Sequence, residues 1–296
     1  MPEIPDLTVY VEALNERLEG SELEGITIAS PFLLRTVEPK VDDLVGRGYV
    51  GCSRLAKQLV FELEGGFYFV IHLMISGRFQ WSETYKPPPK RNGLAAFKFS
   101  AGTVLFTEAS KKKRASLRLV KGMEDLAALD PGGLEILDAT QDEFIARLRS
   151  INHTLKRALT DQRIFAGVGN AYSDEILLRA KLSPFKQSSK IDDAQAARLY
   201  EACREVLQEW IVILRNKAKG KFPAKVTAFH DEMAAHGKYK QPCMVCGAPI
   251  QRIVYAENEA NYCARCQTEG RLLADRSLSK LLKDNWPKRL EDLENI

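Results

Sequence analysis

The chain lacks any apolar run long enough to cross a membrane; its longest, Phe67 to Ile75, is strand-sized and contains His72. It also lacks the basic flank followed by a continuous apolar stretch that marks a secretory signal. A cytoplasmic protein is therefore expected. Internal repeats and low-complexity tracts are missing, and 45% hydrophobic with 28% charged residues in a chain of 296 excludes a disordered tail or a coiled coil. Two or three packed modules fit instead. Cysteine is scarce. Of six, Cys52 and Cys203 stand alone, while Cys243, Cys246, Cys263 and Cys266 crowd together as two pairs, which favours a reduced metal cluster over disulfides.

Excess charge is small, +4, but unevenly spread. Residues 1–50 hold four bases against ten acids, residues 51–100 seven against three, and residues 151–250 sixteen against ten. Bases gather from Lys111 to Arg114 and again at Arg215, Lys217, Lys219, Lys221 and Lys225. Such clusters suit a phosphate backbone through counterion release, and suit a solvated face equally well.

Leu7, Val11, Leu14 and Leu18 sit at helical spacing, so a short amphipathic helix follows the N-terminus. Then the period shortens. Ile26–Ala29, Tyr49–Leu55, Gln58–Leu63, Phe67–Ile75, Leu94–Phe99, Thr103–Phe106 and Leu117–Val120 read as short strands of a sandwich or barrel, with Lys86–Gly93 an exposed loop. Asp130-Pro131-Gly132-Gly133 marks a break. Helical patterns follow at Leu134–Leu148, Thr154–Leu159, Ala171–Ala180 and about Asp193–Lys217, the last with a stripe of Leu199, Cys203, Val206, Trp210, Ile213 and Leu214. Residues 218–242 are basic and loop-like, and Leu278–Trp286 reads as a small helix stopped by Pro287.

Three motifs carry chemistry. Cys243, Cys246, Cys263 and Cys266 form C-x2-C-x16-C-x2-C, in which each tight pair presents two thiolates to one ion and a hairpin of Gln251–Tyr255 with Asn261–Tyr262 brings the pairs together. Four protein ligands make a closed, structural zinc site. In the second motif, Leu159 to Tyr172, Gly167 and Gly169 permit close backbone approach between two helices, and Asn170 falls at the start of the second. Exposed N–H groups and the helix dipole there favour a phosphate; an ordinary hairpin with Asn170 as a cap is an equal alternative. The third is Met1-Pro2-Glu3-Ile4-Pro5-Asp6: removal of Met1 leaves a secondary amine with a pKa near ~8, partly neutral and hence nucleophilic, beside a carboxylate.

Taken together these features resemble the formamidopyrimidine-DNA glycosylase and endonuclease VIII family over nearly all of residues 2–267. The likeness is carried by Pro2-Glu3-Ile4-Pro5, by Arg54-Leu-Ala-Lys57, by His72-Leu-Met-Ile-Ser-Gly77, by residues 159–175, which look like a helix-two-turns-helix, and by the cysteines. The resemblance implies a multi-domain α+β fold: an N-terminal catalytic β-sandwich with a flanking helix (1–130), a helical helix-two-turns-helix domain (134–236), a zinc-finger β-hairpin (237–270) and a C-terminal extension (271–296). It implies a DNA repair enzyme, monomeric and associated with the nucleoid, acting on double-stranded DNA that holds damaged bases or abasic sites. Pro2 would attack C1′, expel the base and form an iminium that drives β- and δ-elimination, with Glu3 protonating the opening sugar. Lys57, His72, Lys156 and Asn170 would grip phosphates around a flipped nucleotide, and Ile75 would fill the gap it leaves. Without that context Lys57 reads as a solvated lysine, His72 as a satisfied core histidine and Lys156 as a helix-surface charge; Cys52, Cys203, Trp210 and Trp286 read as packing residues.

The chain departs from the family pattern in four places. Asp6 replaces a glutamate, so its hydrogen bond must be re-aimed. Met74 and Ile75 replace a glycine and a methionine. Thr107 to Arg114 stand where relatives carry an arginine and phenylalanine that probe the opposite base, so discrimination there is expected to be weak. Asn258 replaces an arginine, with Arg252 or Arg265 as compensating candidates. Residues 219–236 match no glycine-rich loop of the purine-preferring branch, and oxidised pyrimidines or abasic sites are the favoured substrates. The rival readings are a noncatalytic damaged-DNA-binding relative and a zinc-ribbon scaffold for protein or RNA.

Overall fold

Leu7, Tyr10, Leu14 and Leu18 recur every three or four residues and are all fully buried, which fixes the inward face of α1 (Ile4–Leu18). Pro5 lies in its first turn, where no helical N–H is lost. The computed structural model describes residues 1–223, 226–227, 229–255, 258–274, 280 and 287–293. The chain divides into two compact units, Met1–Pro131 with Trp210–Ala228, and Gly132–Glu209 with Phe229–Ile296. Among the described residues no helix is long and apolar enough to cross a membrane.

In the first unit the strands are β1 (Glu22–Ile28), β2 (Arg47–Leu55), β3 (Gln58–Leu63), β4 (Phe67–His72), β5 (Gly77–Ser82), β6 (Gly93–Phe99), β7 (Gly102–Glu108) and β8 (Ser116–Lys121). They pair antiparallel in the order β5-β7-β6-β1-β2-β3-β4-β8. Only Glu22↔Gly48 and Leu23↔Arg47 join β1 to β2, so the sheet parts there into two halves. Phe69 of β4 stacks on Phe97 of β6 with centroids 4.9 Å apart, and Phe61 of β3 meets Phe79 of β5 edge-on at 6.0 Å. Aromatic rings from both halves thus fill one core: the fold is a β-sandwich with α1 against β2. On the outer face of β3, β4 and β8, Val60, Tyr68, Val70 and Val120 pack beneath Leu126 and Leu129, around the short helix α2 (Met123–Ala127).

Two strand expectations need correcting. Phe67–Ile75 does not run on as one strand: β4 stops at His72, and the amide of Gly77 donates to Leu73 O at 2.8 Å, turning the chain. Gly77–Ser82, which sequence periodicity misses, then forms β5. Trp210–Ala228 also belongs here. Phe222 packs its ring 5.7 Å from that of Tyr10, Val226 joins the core, and Arg215 pairs with Glu12 at 2.5 Å.

The second unit contains α3 (Gln141–Arg149), α4 (Leu155–Thr160), α5 (Asn170–Arg179), most of α6 (Asp193–Ala218), the hairpin β9 (Ile250–Tyr255) and β10 (Asn258–Cys263), and α7 (Ala264–Thr268). The predicted helix over Leu134–Leu148 begins later than expected. Leu134 instead bridges the α4–α5 connection, its N–H to Ile164 O and its carbonyl to Ala166 N, and Thr140 with Glu143 forms the capping box that starts α3. Along α6, Leu199, Cys203, Val206 and Trp210 are buried while Ile213 and Leu214 are half-buried. The predicted helix Leu278–Trp286, Lys280 apart, lies outside the described residues, as does Lys225.

Candidate active site and metal centre

The N-terminal segment is held by a short local turn. Glu3 donates its backbone N–H to Asp6 Oδ2 at 2.9 Å, and Leu7 N donates to Glu3 O at 2.9 Å. Pro2, Glu3 and Asp6 are all buried. Asp6 therefore directs its carboxylate back onto the start of its own helix. Burial holds the Met1 amino group below its ordinary pKa; Glu3 and Asp6 oppose that shift, and the Arg78 and Lys57 charges add to it. Two acids and two bases thus act on the nitrogen at the chain's start.

Lys57 lies in the two-residue turn between β2 and β3, where Ala56 adopts a left-handed φ of +51° and Arg54 Nη1 donates to the Ala56 carbonyl at 2.9 Å. Its side chain is largely buried, not solvated. Across the hairpin, His72 pairs in register with Gln58 at the end of β4. His72 Nδ1 accepts the Met74 N–H at 3.0 Å, and burial, with Lys57 and Arg118 nearby, pushes its pKa down to about 4. At neutral pH the ring is uncharged and its proton resides on Nε2. The Met1 amino group, Glu3, Lys57 and His72 therefore share one electrostatic neighbourhood, linked through Lys57.

Ile75 stands 54% exposed at the tip of the Leu73–Gly77 turn. A Cβ on Gly77 would come within 2.2 Å of Leu73 O, so glycine is required there. Arg78 Nη1 braces the turn through the carbonyls of Gly77 at 2.6 Å and Ile75 at 3.2 Å. Beside it, Ser110 N donates to Ser76 Oγ at 3.2 Å. The basic loop Lys111–Arg114 that follows is exposed and anchored on buried Glu108, whose carboxylate accepts from Arg114 N at 3.1 Å and Ala115 N at 3.3 Å and whose carbonyl accepts from Lys113 Nζ.

In the second unit the α4–α5 connection is stapled by Gln162, whose Nε2 donates to Thr160 O at 2.9 Å and Val168 O at 2.8 Å while its Oε1 accepts from Gly167 N at 2.8 Å. Gly167 takes φ +79°, which the tight turn requires. Gly169 occupies the cap position and Asn170 is the first helical residue, so Asn170 is not the cap. Lys156 is no surface charge: its Nζ donates to Asn170 O at 2.6 Å and to Asp174 Oδ1 at 2.5 Å. Asp174 Oδ2 also accepts from His236 Nδ1 at 2.8 Å and Asn261 Nδ2 at 3.2 Å. The adjacent Glu175 accepts the amides of Ala234, Ala235 and His236, each at 2.8 Å. Sequence reasoning missed Asp174, Glu175, His236 and Asn261. The available signal was two consecutive acids in a helix whose residues from Ala171 to Leu178 are otherwise suited to burial.

The sulfurs of Cys243, Cys246, Cys263 and Cys266 all lie within 4.8 Å of one another. A tetrahedral zinc with Zn–S bonds of about 2.3 Å needs sulfurs about 3.8 Å apart, and the pairs Cys243–Cys266 and Cys246–Cys263 stand at 4.0 and 3.4 Å. Donor set and spacing fit a structural Zn²⁺. The knuckle turns at Gly247, φ +75°, with Gly247 N donating to Cys243 O at 2.8 Å. Arg252 is engaged with Glu259 at 3.8 Å and stacked on Tyr239, and Arg265 Nη1 donates to Cys246 O at 3.3 Å. The Asn258 side chain lies outside the described residues.

A sandwich, a helix-two-turns-helix and a four-cysteine finger in this order define a class of helix-two-turns-helix proteins that end in a zinc finger. Family models agree: the formamidopyrimidine-DNA glycosylase N-terminal domain matches residues 1–114, the formamidopyrimidine-DNA glycosylase H2TH domain residues 131–219, and the zinc finger found in FPG and IleRS residues 240–268. The formamidopyrimidine-DNA glycosylase of Thermus thermophilus is 31% identical over 278 residues, covering 91% of this chain and 100% of the relative. That of Desulfitobacterium hafniense is 30% identical over 276 residues, covering 90% and 100%. Among solved structures, Lactococcus lactis FPG in complex with FAPY-dG-containing DNA superimposes with a TM-score of 0.79 at 26% identity, over 90% of this chain and 100% of that one. The chain belongs to the formamidopyrimidine-DNA glycosylase family.

Proposed function

We propose that this protein is a DNA repair glycosylase with abasic-site lyase activity, acting on oxidised bases. Removal of Met1 frees the Pro2 nitrogen, which bonds to C1′ of the damaged nucleotide as the glycosidic bond breaks and the base departs with a proton. Ring opening then breaks C1′–O4′, O4′ takes the proton of Glu3, and the nitrogen lone pair forms the iminium. That cation acidifies C2′, so loss of a C2′ proton expels the 3′ phosphate, and a second elimination expels the 5′ phosphate. Lys57 carries positive charge beside the nitrogen; it favours the neutral, attacking amine and meets phosphate.

His72, Lys156 and Asn170 contact the phosphates flanking the lesion, and Ile75 fills the stack where the nucleotide leaves. Zinc holds the finger hairpin in shape and takes no part in the chemistry. Residues 1–130 serve as the catalytic module, 134–236 and 237–270 as DNA-binding modules, and 271–296 as an extension. The protein acts as a monomer on double-stranded DNA in the cytoplasm, at the nucleoid. The basic loop Lys111–Arg114 favours weak reading of the opposite base, and oxidised pyrimidines or abasic sites are the preferred substrates.

The observation that carries this reading is the burial of Pro2, Glu3 and Asp6 together at the start of the chain, with the Lys57 side chain largely buried as well. Relatives bound to abasic-site and FAPY-dG DNA support the substrate class. Incubation of the processed, zinc-loaded protein with an abasic-site duplex and borohydride is expected to give a covalent adduct at Pro2. Intact protein that gives none would falsify the lyase mechanism and leave a damaged-DNA-binding protein.

A further inference from the structure

Asp174 is fully buried, and its carboxylate is saturated by donors from three different segments: Lys156 on α4, His236 ahead of the metal knuckle and Asn261 on β10. Lys156 is its one permanently charged partner among the described residues, at 2.5 Å, and the lysine side chain is itself only 12% exposed. Two of the three ammonium N–H bonds are used internally, on Asp174 Oδ1 and on the Asn170 carbonyl. A buried ion pair of this kind is close to electrically silent at a distance, because the two charges cancel over a separation far smaller than that to any ligand. What survives is direction: the ammonium's remaining donor is held in place at the first residue of α5.

We infer that Asp174 is a positioning residue that cancels the charge of Lys156, so that the start of α5 meets a phosphodiester with aimed, neutral donors and not with a cationic grip. This rests on the DNA-binding reading above. Asp174 touches no reacting atom; it acts through Lys156 and Asn170, and through Asn261 and His236 it ties that donor array to the zinc hairpin. The phosphate affinity of this corner therefore comes from the Asn170 amide and one fixed lysine N–H.

Salt dependence separates charge from geometry, since each phosphate neutralised by a protein cation contributes about 0.9 to the slope of log K against log salt. Binding of the zinc-loaded full chain to a duplex with one tetrahydrofuran abasic-site analogue is measured from roughly 50 to 200 mM NaCl, at about pH 8, above the ordinary histidine range. Asp174→Asn, which keeps the side-chain shape, is expected to steepen the slope by about 0.9. The double variant Lys156→Gln/Asp174→Asn buries no unpaired charge and is expected to return to the wild-type slope, whatever its affinity. If Lys156 is instead an uncompensated cation on a phosphate, the double variant falls below wild type by about 0.9, and the inference is overturned by that variant alone, even should the single variant fold poorly. Wild-type protein that prefers the abasic duplex no more than an undamaged one overturns the DNA-repair reading and this inference with it; preference with the wrong slopes overturns only the inference.

Discussion

Met74 donates its backbone N–H to His72 Nδ1 at 3.0 Å, an arrangement that only an uncharged imidazole can accept. The ring is protonated near its ordinary value of 6.5 in the unfolded chain but only near about 4 when folded. Protons therefore bind preferentially to the unfolded state between these values. The stability this group contributes is complete above about 6.5 and is lost as pH falls towards 4. Chemical denaturation of wild type and His72→Gln at several pH values is expected to show an extra loss of about 1–3 kcal/mol in wild type across that window. Parallel profiles would assign the acid sensitivity to other groups.

Glu3 is expected to act on the chemical step and not on binding. Glu3→Gln keeps size and hydrogen-bonding capacity but supplies no acidic proton to the ring oxygen, so single-turnover excision slows by about 10²–10⁴-fold. Affinity for an uncleavable abasic analogue stays within about threefold, since the group's acid role lies in the transition state. Equal losses in both measurements would make Glu3 a binding residue.

Asn170 offers a neutral amide at a helix start, and Asn170→Ala removes hydrogen bonds without removing charge. Fluorescence anisotropy is expected to show affinity reduced by about 1–3 kcal/mol on all DNA sequences alike, with the salt slope unchanged because no cation is lost. A changed slope would mean that the substitution displaces a neighbouring base.

Removal of zinc releases the two ends of the β9–β10 hairpin, which the four thiolates hold together in addition to its own ladder and the Asn261–Asp174 bond. Chelation is expected to raise amide hydrogen exchange through Ile250–Cys263 by at least about tenfold while leaving β3 and β4 protected. Readdition of Zn²⁺ restores protection. Uniform exchange across both units would instead show that metal stabilises the whole chain.

Much of this was legible from residue order alone. Period-two runs placed β2, β3, β6, β7 and β8, because each has one face on an aromatic core. The cysteine spacing placed the metal site because ligand geometry is local. What stayed hidden depends on contacts distant in sequence. Tyr10 reads as an ordinary aromatic in a helix, yet its hydroxyl accepts the Phe79 amide at 3.1 Å, sixty-nine positions away. Lys156 reads as a surface charge until Asp174 is folded against it. Strand β5 escaped because Gly77 and Arg78 break the apolar alternation at the very turn that presents Ile75. The N-terminal motif was legible as a resemblance, but nothing in its composition indicates that Glu3 and Asp6 are buried together.

The ion pair between Glu12 and Arg215, and the packing of Phe222 and Val226 into the first core, bear on synthesis as much as on stability. A nascent chain that has released only its first 131 residues from the ribosome has a sandwich whose helix α1 still shows bare apolar surface around Tyr10. Closure of that core waits for almost a hundred further residues to be translated. Translation thus outruns folding of the earliest segment, and the protein cannot be assembled bead by bead.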